Sequence, residues 1–341
     1  MSFKRWVLPL IGVLFSVGAI YLVMRDIDFI KLGEALQGAK YGWLIPAFFL
    51  ITLGLFFRGL RWRSLLSKSI SLEHAFNILN IAYLLNGILP LRAGELARAY
   101  LASQVKPPVP MMRSASTIII ERLLDLLAVL VLIGIVLLVA PIPEEVRAPA
   151  SLFLPLMIVG FAFLMILASK PDFSLNLAHA LSRRIPILER FQFSQLTINF
   201  IEGLKPLTQM RTLIEMVLWT AVSWTFSVIS GYVIMLAFYD QADWIATCLF
   251  TATASFAIAV PAIPGNLGTY EASIVFALST LNFDPVVETA AAFALVVHGL
   301  NLFANIVLGI WGLFREGFSI KQISTGVRNM QQKQAAGSIE A

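Results

Sequence analysis

The chain has 341 residues, of which 58% are hydrophobic and 13% are charged, and its formal net charge at pH 7 is +5. A mean hydropathy of +0.82 is more than the core of a soluble domain requires, so composition excludes an ordinary soluble protein and indicates an integral membrane protein. The single cysteine, Cys248, lies in an apolar run, which excludes a disulfide framework and a cysteine-based metal site. We expect neither a cofactor nor a metal.

Long uncharged runs predict the membrane-spanning helices, since a span requires about 20 apolar residues. Lys4 and Arg5 precede the first run as in a signal peptide, but no small-residue cleavage site follows, so we expect a retained helix. We predict six spans, over residues 6–24, 41–57, 126–143, 148–169, 216–239 and 286–314.

The positions of lysine and arginine orient these spans, because cytoplasmic loops carry an excess of positive charge. The N-terminus, loop 58–74, loop 170–211 and the C-terminal tail are basic, so we predict that they are cytoplasmic, whereas loop 25–40 is predicted outside. With those sides fixed, two apolar segments must enter and leave through the same face. Segment 75–105 is predicted to enter from the inside and segment 244–281 from the outside.

The predicted fold is therefore an all-α polytopic membrane protein with six transmembrane helices and two re-entrant helical hairpins in an inverted-topology repeat. The first repeat covers residues 1–143, and the second covers residues 144–318. Apolar residues at helical spacing beside arginines predict cytoplasmic amphipathic helices in the insertion 170–211. Small polar residues predict a disordered cytoplasmic tail over 319–341.

Proline and glycine interrupt both re-entrant segments, and a glutamate follows each break. The first break reads Pro90-Leu91-Arg92-Ala93-Gly94-Glu95, and the second reads Pro264-Gly265-Asn266-Leu267-Gly268-Thr269-Tyr270-Glu271. Backbone freed by such breaks has no water to bind in the hydrocarbon region unless it is buried in protein or lines a wet cavity. Two breaks at matching positions of two halves indicate the substrate site of a transporter.

Arginines after the first break are candidate ligands for an anion. The amides of a helix restarting at Gly94 favour an anion, and the planar guanidinium groups of Arg92 and Arg98 suit a phosphate. Alternatively, Arg98 marks the inner interface and pairs with Glu95. We interpret Arg58, Arg61 and Arg63 as part of the positive belt at that interface.

Further charged residues within apolar segments are candidates for function or for internal ion pairs. Glu121, Arg122 and Asp125 form either a network that clamps their helix to the first break or a contact with substrate. Glu271 has no basic neighbour in sequence, so it is protonated, paired with an arginine of the first break, or part of a proton relay. His298 and Asn301 share one face of the last helix, which points inward; hydrogen bonding between helices is the alternative explanation.

Three spaced motifs resemble a known family over most of the chain, about residues 5–318. They are Asn86…Leu89-Pro90-x-Arg92-x-Gly94-Glu95-x-x-Arg98, Glu121-Arg122-x-x-Asp125 and Pro264-Gly265-x-x-Gly268-x-x-Glu271. The family that they resemble is the lysylphosphatidylglycerol synthase transmembrane-region family of flippase-like proteins. Asn266 departs from the small residue that is usual there. The resemblance implies lipid movement by a stand-alone member without the soluble synthase domain.

The resemblance, together with the inward face of the last helix, implies two groups of site residues. Binding of a lipid head group is expected of Arg92, Gly94, Arg98, Arg122, Gly265 and Gly268. Proton coupling or an ion-pair network is expected of Glu95, Glu121, Asp125, Glu271, His298 and Asn301.

The leading hypothesis is a transporter rather than an enzyme. It flips an anionic phospholipid or polyprenyl phosphate across the cytoplasmic membrane by alternating access, with both termini cytoplasmic. The alternative is a membrane-embedded transferase acting on a lipid phosphate, with Asp26, Asp28, Glu95 or Glu271 as acid or base; a scaffold for lipid-modifying enzymes is a third hypothesis. Expected partners are membrane lipids and not nucleic acid, while a homodimer and a lipid-biosynthetic enzyme partner are left open.

Overall fold

The computed structural model of the chain describes residues 16–21, 25, 27–89, 92–140, 209–259, 264–283 and 286–327, with scattered positions between 144 and 180. Its regular elements there are all helical, in chain order α1 (Phe29–Gly38), α2 (Leu44–Leu65), α3 (Leu72–Ile88), α4 (Ala93–Gln104), α5 (Met111–Val139), α6 (Met210–Phe238), α7 (Trp244–Ala259), α8 (Thr269–Thr280), α9 (Val287–Glu316) and α10 (320–327).

Four helices in the described part of the chain are long and apolar enough to cross a membrane: α2 with the 3₁₀ turn before it, α5, α6 and α9. They correspond to four of the six predicted spans, and the prediction of an all-helical multi-pass membrane protein is confirmed at that level. The predicted spans over 6–24 and 148–169 lie largely outside the described residues, as do most of the insertion 170–211 and all of 328–341.

Two segments predicted as loops are helical. Loop 25–40 contains α1, because Asp28 caps it by accepting hydrogen bonds from the amides of Ile30 (2.9 Å) and Lys31 (3.4 Å). Its residue Leu32 packs against alanines of α9. The loop predicted from residue 58 is also wrong at its start, because α2 continues to Leu65.

Both predicted breaks separate two short helices that pack along each other. Between α3 and α4, Gly94 passes so close to Ala82 that a Cβ there would overlap the Ala82 carbonyl oxygen. Between α7 and α8, Gly265 and Gly268 have φ angles of +74° and +82°, a region that glycine adopts at little cost. Pro90 itself lies outside the described residues.

The packing follows these two helical pairs. One hydrophobic cluster joins α5 and α6 to α7, α8 and α9, with Phe250 of α7 against Phe293 of α9 (ring centroids 5.2 Å apart). Another joins α3 and α4 to α10. Stacked rings align α2 with α6, as between Phe57 and Trp219. Both pairs therefore pack against α9, through Phe293 in the first cluster and Leu313 in the second.

The tail predicted to be disordered from residue 319 is helical over 320–327. Its Ile323 is buried, and Phe318 and Val327 pack around the same cluster of α3 and α4. The sequence interpretation missed this helix because three apolar residues on one face are a weak signal until a partner surface is known.

Candidate functional site

The two helix breaks lie against each other in the structure. Arg92 begins α4 with a φ angle of +53°, and its guanidinium donates a hydrogen bond to the carbonyl oxygen of Ile258, near the end of α7. On the other side, a Cβ placed on Gly265 would lie 3.6 Å from the carbonyl oxygen of Gly87 in α3. The residues that follow the two breaks therefore face a common region.

Beside this region, ion pairs tie α4 to α5 and α2; we define the arginine–carboxylate network as Arg61, Arg92, Glu95, Arg98, Glu121, Arg122 and Asp125. Glu95 is its central carboxylate. It lies 3.1 Å from Nη2 of Arg122 and 3.8 Å from Nη1 of Arg92. Arg122 also approaches Asp125, at 3.7 Å.

Arg61 holds Asp125 in place from α2. Its two terminal nitrogens lie 2.7 Å and 3.4 Å from the two oxygens of Asp125, and the indole N–H of Trp224 donates to the same carboxylate at 3.1 Å. The Arg61 side chain is 1% exposed, so it does not face lipid head groups as a residue of the interfacial belt would. The signal in the sequence was its spacing, since Arg58 and Arg61 fall one turn apart on one helix.

Arg98 forms a closed pair with Glu121. Their side chains meet at 2.6 Å and are 4% and 3% exposed. The guanidinium also lies over the ring of Trp62, 4.7 Å from its centroid, and that indole donates to Thr117 of α5 at 3.0 Å. Arg98 therefore pairs with a carboxylate of α5 rather than with Glu95, and this geometry favours a structural role over contact with a head group.

The glutamate after the second break has a different partner. One oxygen of Glu271 lies 2.6 Å from Nδ1 of His298, and the other accepts the amide hydrogen of Gly268 at 2.7 Å. Tyr270 stacks on the His298 ring, with centroids 4.4 Å apart. Asn301 lies outside this contact, since its amide donates to the Val297 carbonyl of the same helix.

One backbone amide at each helix start already has an acceptor within the protein. The amide of Gly94 donates to the side-chain oxygen of Asn86 at 2.9 Å, and that of Gly268 donates to Glu271. These two amides are thus engaged in holding the turns.

Comparison with known protein families decides the class to which this arrangement belongs. The family described as Lysylphosphatidylglycerol synthase TM region matches residues 10–309. The chain belongs to this family. No curated protein matches the chain. Membership confirms the resemblance recognised in the sequence motifs and gives this multi-pass protein a membrane lipid-related function.

In this member of the lysylphosphatidylglycerol synthase TM region family, exposure separates fixed charges from accessible ones. The side chains of Arg122 and Arg92 are 42% and 33% exposed, and Glu95 between them is 27% exposed. Arg61 and Arg98 are closed off by their carboxylate partners. Arg92 and Arg122 are therefore the members of the arginine–carboxylate network that a phosphate could contact.

Proposed function

We propose that the protein translocates an anionic lipid across the cytoplasmic membrane by alternating access. The observation that carries the proposal is the meeting of the two helix breaks beside two half-exposed arginines. In a chain that spans a membrane, charged residues at such a place are costly and mark a pathway for a charged substrate.

The charge balance of the arginine–carboxylate network indicates an anionic substrate. Four arginines of the arginine–carboxylate network face three carboxylates, so the network carries an excess of one positive charge. Buried charge is costly without a partner, and a lipid phosphate supplies the missing negative charge. The acyl chains remain in the bilayer while the head group occupies the region between the breaks.

Movement of the lipid requires an ion pair that can exchange. Glu95 lies 3.8 Å from Arg92 and 3.1 Å from Arg122, and all three side chains are partly exposed, so a phosphate can compete with Glu95 for the two guanidinium groups. In the proposal, segments 75–105 and 244–281 are re-entrant hairpins from opposite faces, both termini are cytoplasmic, and rocking of the two halves alternates access. The Glu271–His298 pair is the place where a proton would couple to this motion.

The test is lipid translocation in vesicles reconstituted with the full chain and a head-group-labelled anionic lipid. Arg92→Gln and Arg122→Gln are each expected to slow translocation about tenfold or more, because each removes a charge-assisted hydrogen bond to phosphate. The matched control is Arg63→Gln, since Arg63 donates to the Ile70 carbonyl away from the site. Unchanged translocation in both site variants would refute the proposed site.

A membrane transferase is the second candidate function. The contact between His298 and Glu271 at 2.6 Å is the arrangement of a base with a carboxylate that orients it. Against this candidate, Asp28 caps α1 and so has a structural role. Release of a donor-dependent lipid product by the purified protein would favour the transferase, whereas a transporter forms none.

A further inference from the structure

One arginine near this region makes no hydrogen bond or ion pair in the part of the chain that the structure describes. Arg58 of α2 is half-buried, and no described residue gives it a hydrogen bond or an ion pair. It lies one helical turn from Arg61, on the side away from the C-terminal end of α2. An arginine inside a spanning helix without a partner indicates a functional group.

The fold directs Arg58 towards the interior. Ile51 and Leu55 precede it by seven and three residues, on the same helical face, and both pack in a cluster with Ala304 of α9 and Tyr83 of α3. One turn further along α2, Arg61 contacts Asp125 at 2.7 Å, and Asp125 lies 3.7 Å from Arg122. Arg58 therefore lies next to the arginine–carboxylate network, on the inward face of α2.

Two tyrosine hydroxyls extend this set of hydrogen-bond donors. Tyr83 packs in the same cluster as Leu55, one turn before Arg58, and Tyr270 stacks on the ring of His298. Neither hydroxyl has a hydrogen-bond partner among the described residues. Arg58 added to the arginine–carboxylate network gives five arginines against three carboxylates, an excess of two positive charges; Glu271 is not counted, because it is paired with His298.

Resting on the proposed function, we infer that Arg58, Tyr83 and Arg122 bind the phosphate of a lipid phosphate monoester in its dianionic form. A phosphate monoester carries a charge of about −1.5 to −2 at pH 7 and three strong acceptor oxygens. A phosphodiester carries a single negative charge and two such oxygens. The excess of two positive charges and the additional donors match the monoester. Arg58 is the residue that distinguishes the two classes.

The experiment compares lipids retained by the full chain in nanodiscs of zwitterionic phosphatidylcholine. The probes are phosphatidic acid, a monoester, and phosphatidylglycerol, a diester, with identical acyl chains, and bound lipid is counted by native mass spectrometry. We expect phosphatidic acid to be retained about tenfold better than phosphatidylglycerol, because it makes one additional charge-assisted hydrogen bond. Arg58→Gln should abolish that preference while phosphatidylglycerol remains bound. Arg63→Gln, on the same helix, should keep the preference.

Three results would overturn the inference. Equal retention of both probes by the wild-type chain would show that the site does not distinguish the phosphate classes, while leaving the proposed function intact. An unchanged preference in Arg58→Gln, with the variant folded by thermal unfolding, would exclude Arg58. Displacement of the lipid by inorganic phosphate at equal concentration would identify a soluble anion as the ligand. Loss of both anionic lipids relative to phosphatidylcholine in the wild type would instead count against the proposed function itself.

Discussion

The two helix breaks share a sequence pattern but use their glutamates differently. At the first break, the side chain of Asn86 accepts the Gly94 amide, and this leaves Glu95 to contact arginines at a half-exposed position. At the second, Glu271 itself accepts the Gly268 amide and also contacts His298, at 9% exposure. The acceptor for the amide at the first turn comes from α3, whereas the acceptor at the second turn is the glutamate that follows the turn itself. The first glutamate can therefore exchange partners, while the second is fixed.

The largest test of this comparison removes the buried pair that anchors the first break. Arg98→Met leaves Glu121 charged and buried at 3% exposure, so we expect the free energy of unfolding to fall by about 3–5 kcal/mol. Denaturant unfolding in detergent micelles measures it.

The matched variants separate the buried pair from the exposed one. Arg98→Met combined with Glu121→Leu should recover most of the loss, because no unpaired charge then remains. Arg122→Gln should cost less than about 1 kcal/mol, since its pair with Glu95 is half-exposed. A loss in Arg98→Met no larger than that in Arg122→Gln would contradict the division into fixed and accessible charges.

Much of the fold follows from hydrophobic length and from proline and glycine. The four described spans and the two interruptions are local properties, so an apolar run and a Pro-x-x-x-Gly pattern suffice to predict them. The uncharged run 126–143 marks only part of α5: Glu121, Arg122 and Asp125 lie within this helix, as predicted, and it begins at Met111.

The pairing of charges depends on tertiary structure and could not be predicted in the same way. Arg61 and Asp125 are 64 positions apart, and counting positive charges at helix ends treats any such arginine as interfacial. The sequence suggests Glu95, one turn away, as a partner for Arg98, but in the structure Arg98 pairs with Glu121 on α5. The sequence supplied the set of charged residues, and packing decided which of them meet.

A second test concerns the close approach within the first break. Gly94→Ala would place a Cβ onto the Ala82 backbone, which cannot move aside as a flexible side chain can, so we expect destabilisation of about 1–3 kcal/mol. Gly33→Ala is the control, because a Cβ at Gly33 of α1 meets nothing within 4 Å; it should stabilise by about 0.5–1 kcal/mol. Thermal unfolding of both variants measures the difference. If both alanines were tolerated equally, the tight contact between α3 and α4 would be absent.

The smallest effect tests the glutamates themselves. Glu95→Gln removes a half-exposed charge. Because Asn86, and not Glu95, accepts the Gly94 amide at the start of α4, the free energy of unfolding of the protein should change by less than about 1 kcal/mol. Glu271→Gln weakens the contact with His298 and the acceptor of the Gly268 amide together, and should cost about 1–3 kcal/mol. Denaturant titration of the two variants side by side gives the two losses in free energy of unfolding. Equal losses would mean that both carboxylates are held equally strongly by their contacts. That result would contradict the proposal that a lipid phosphate exchanges with Glu95.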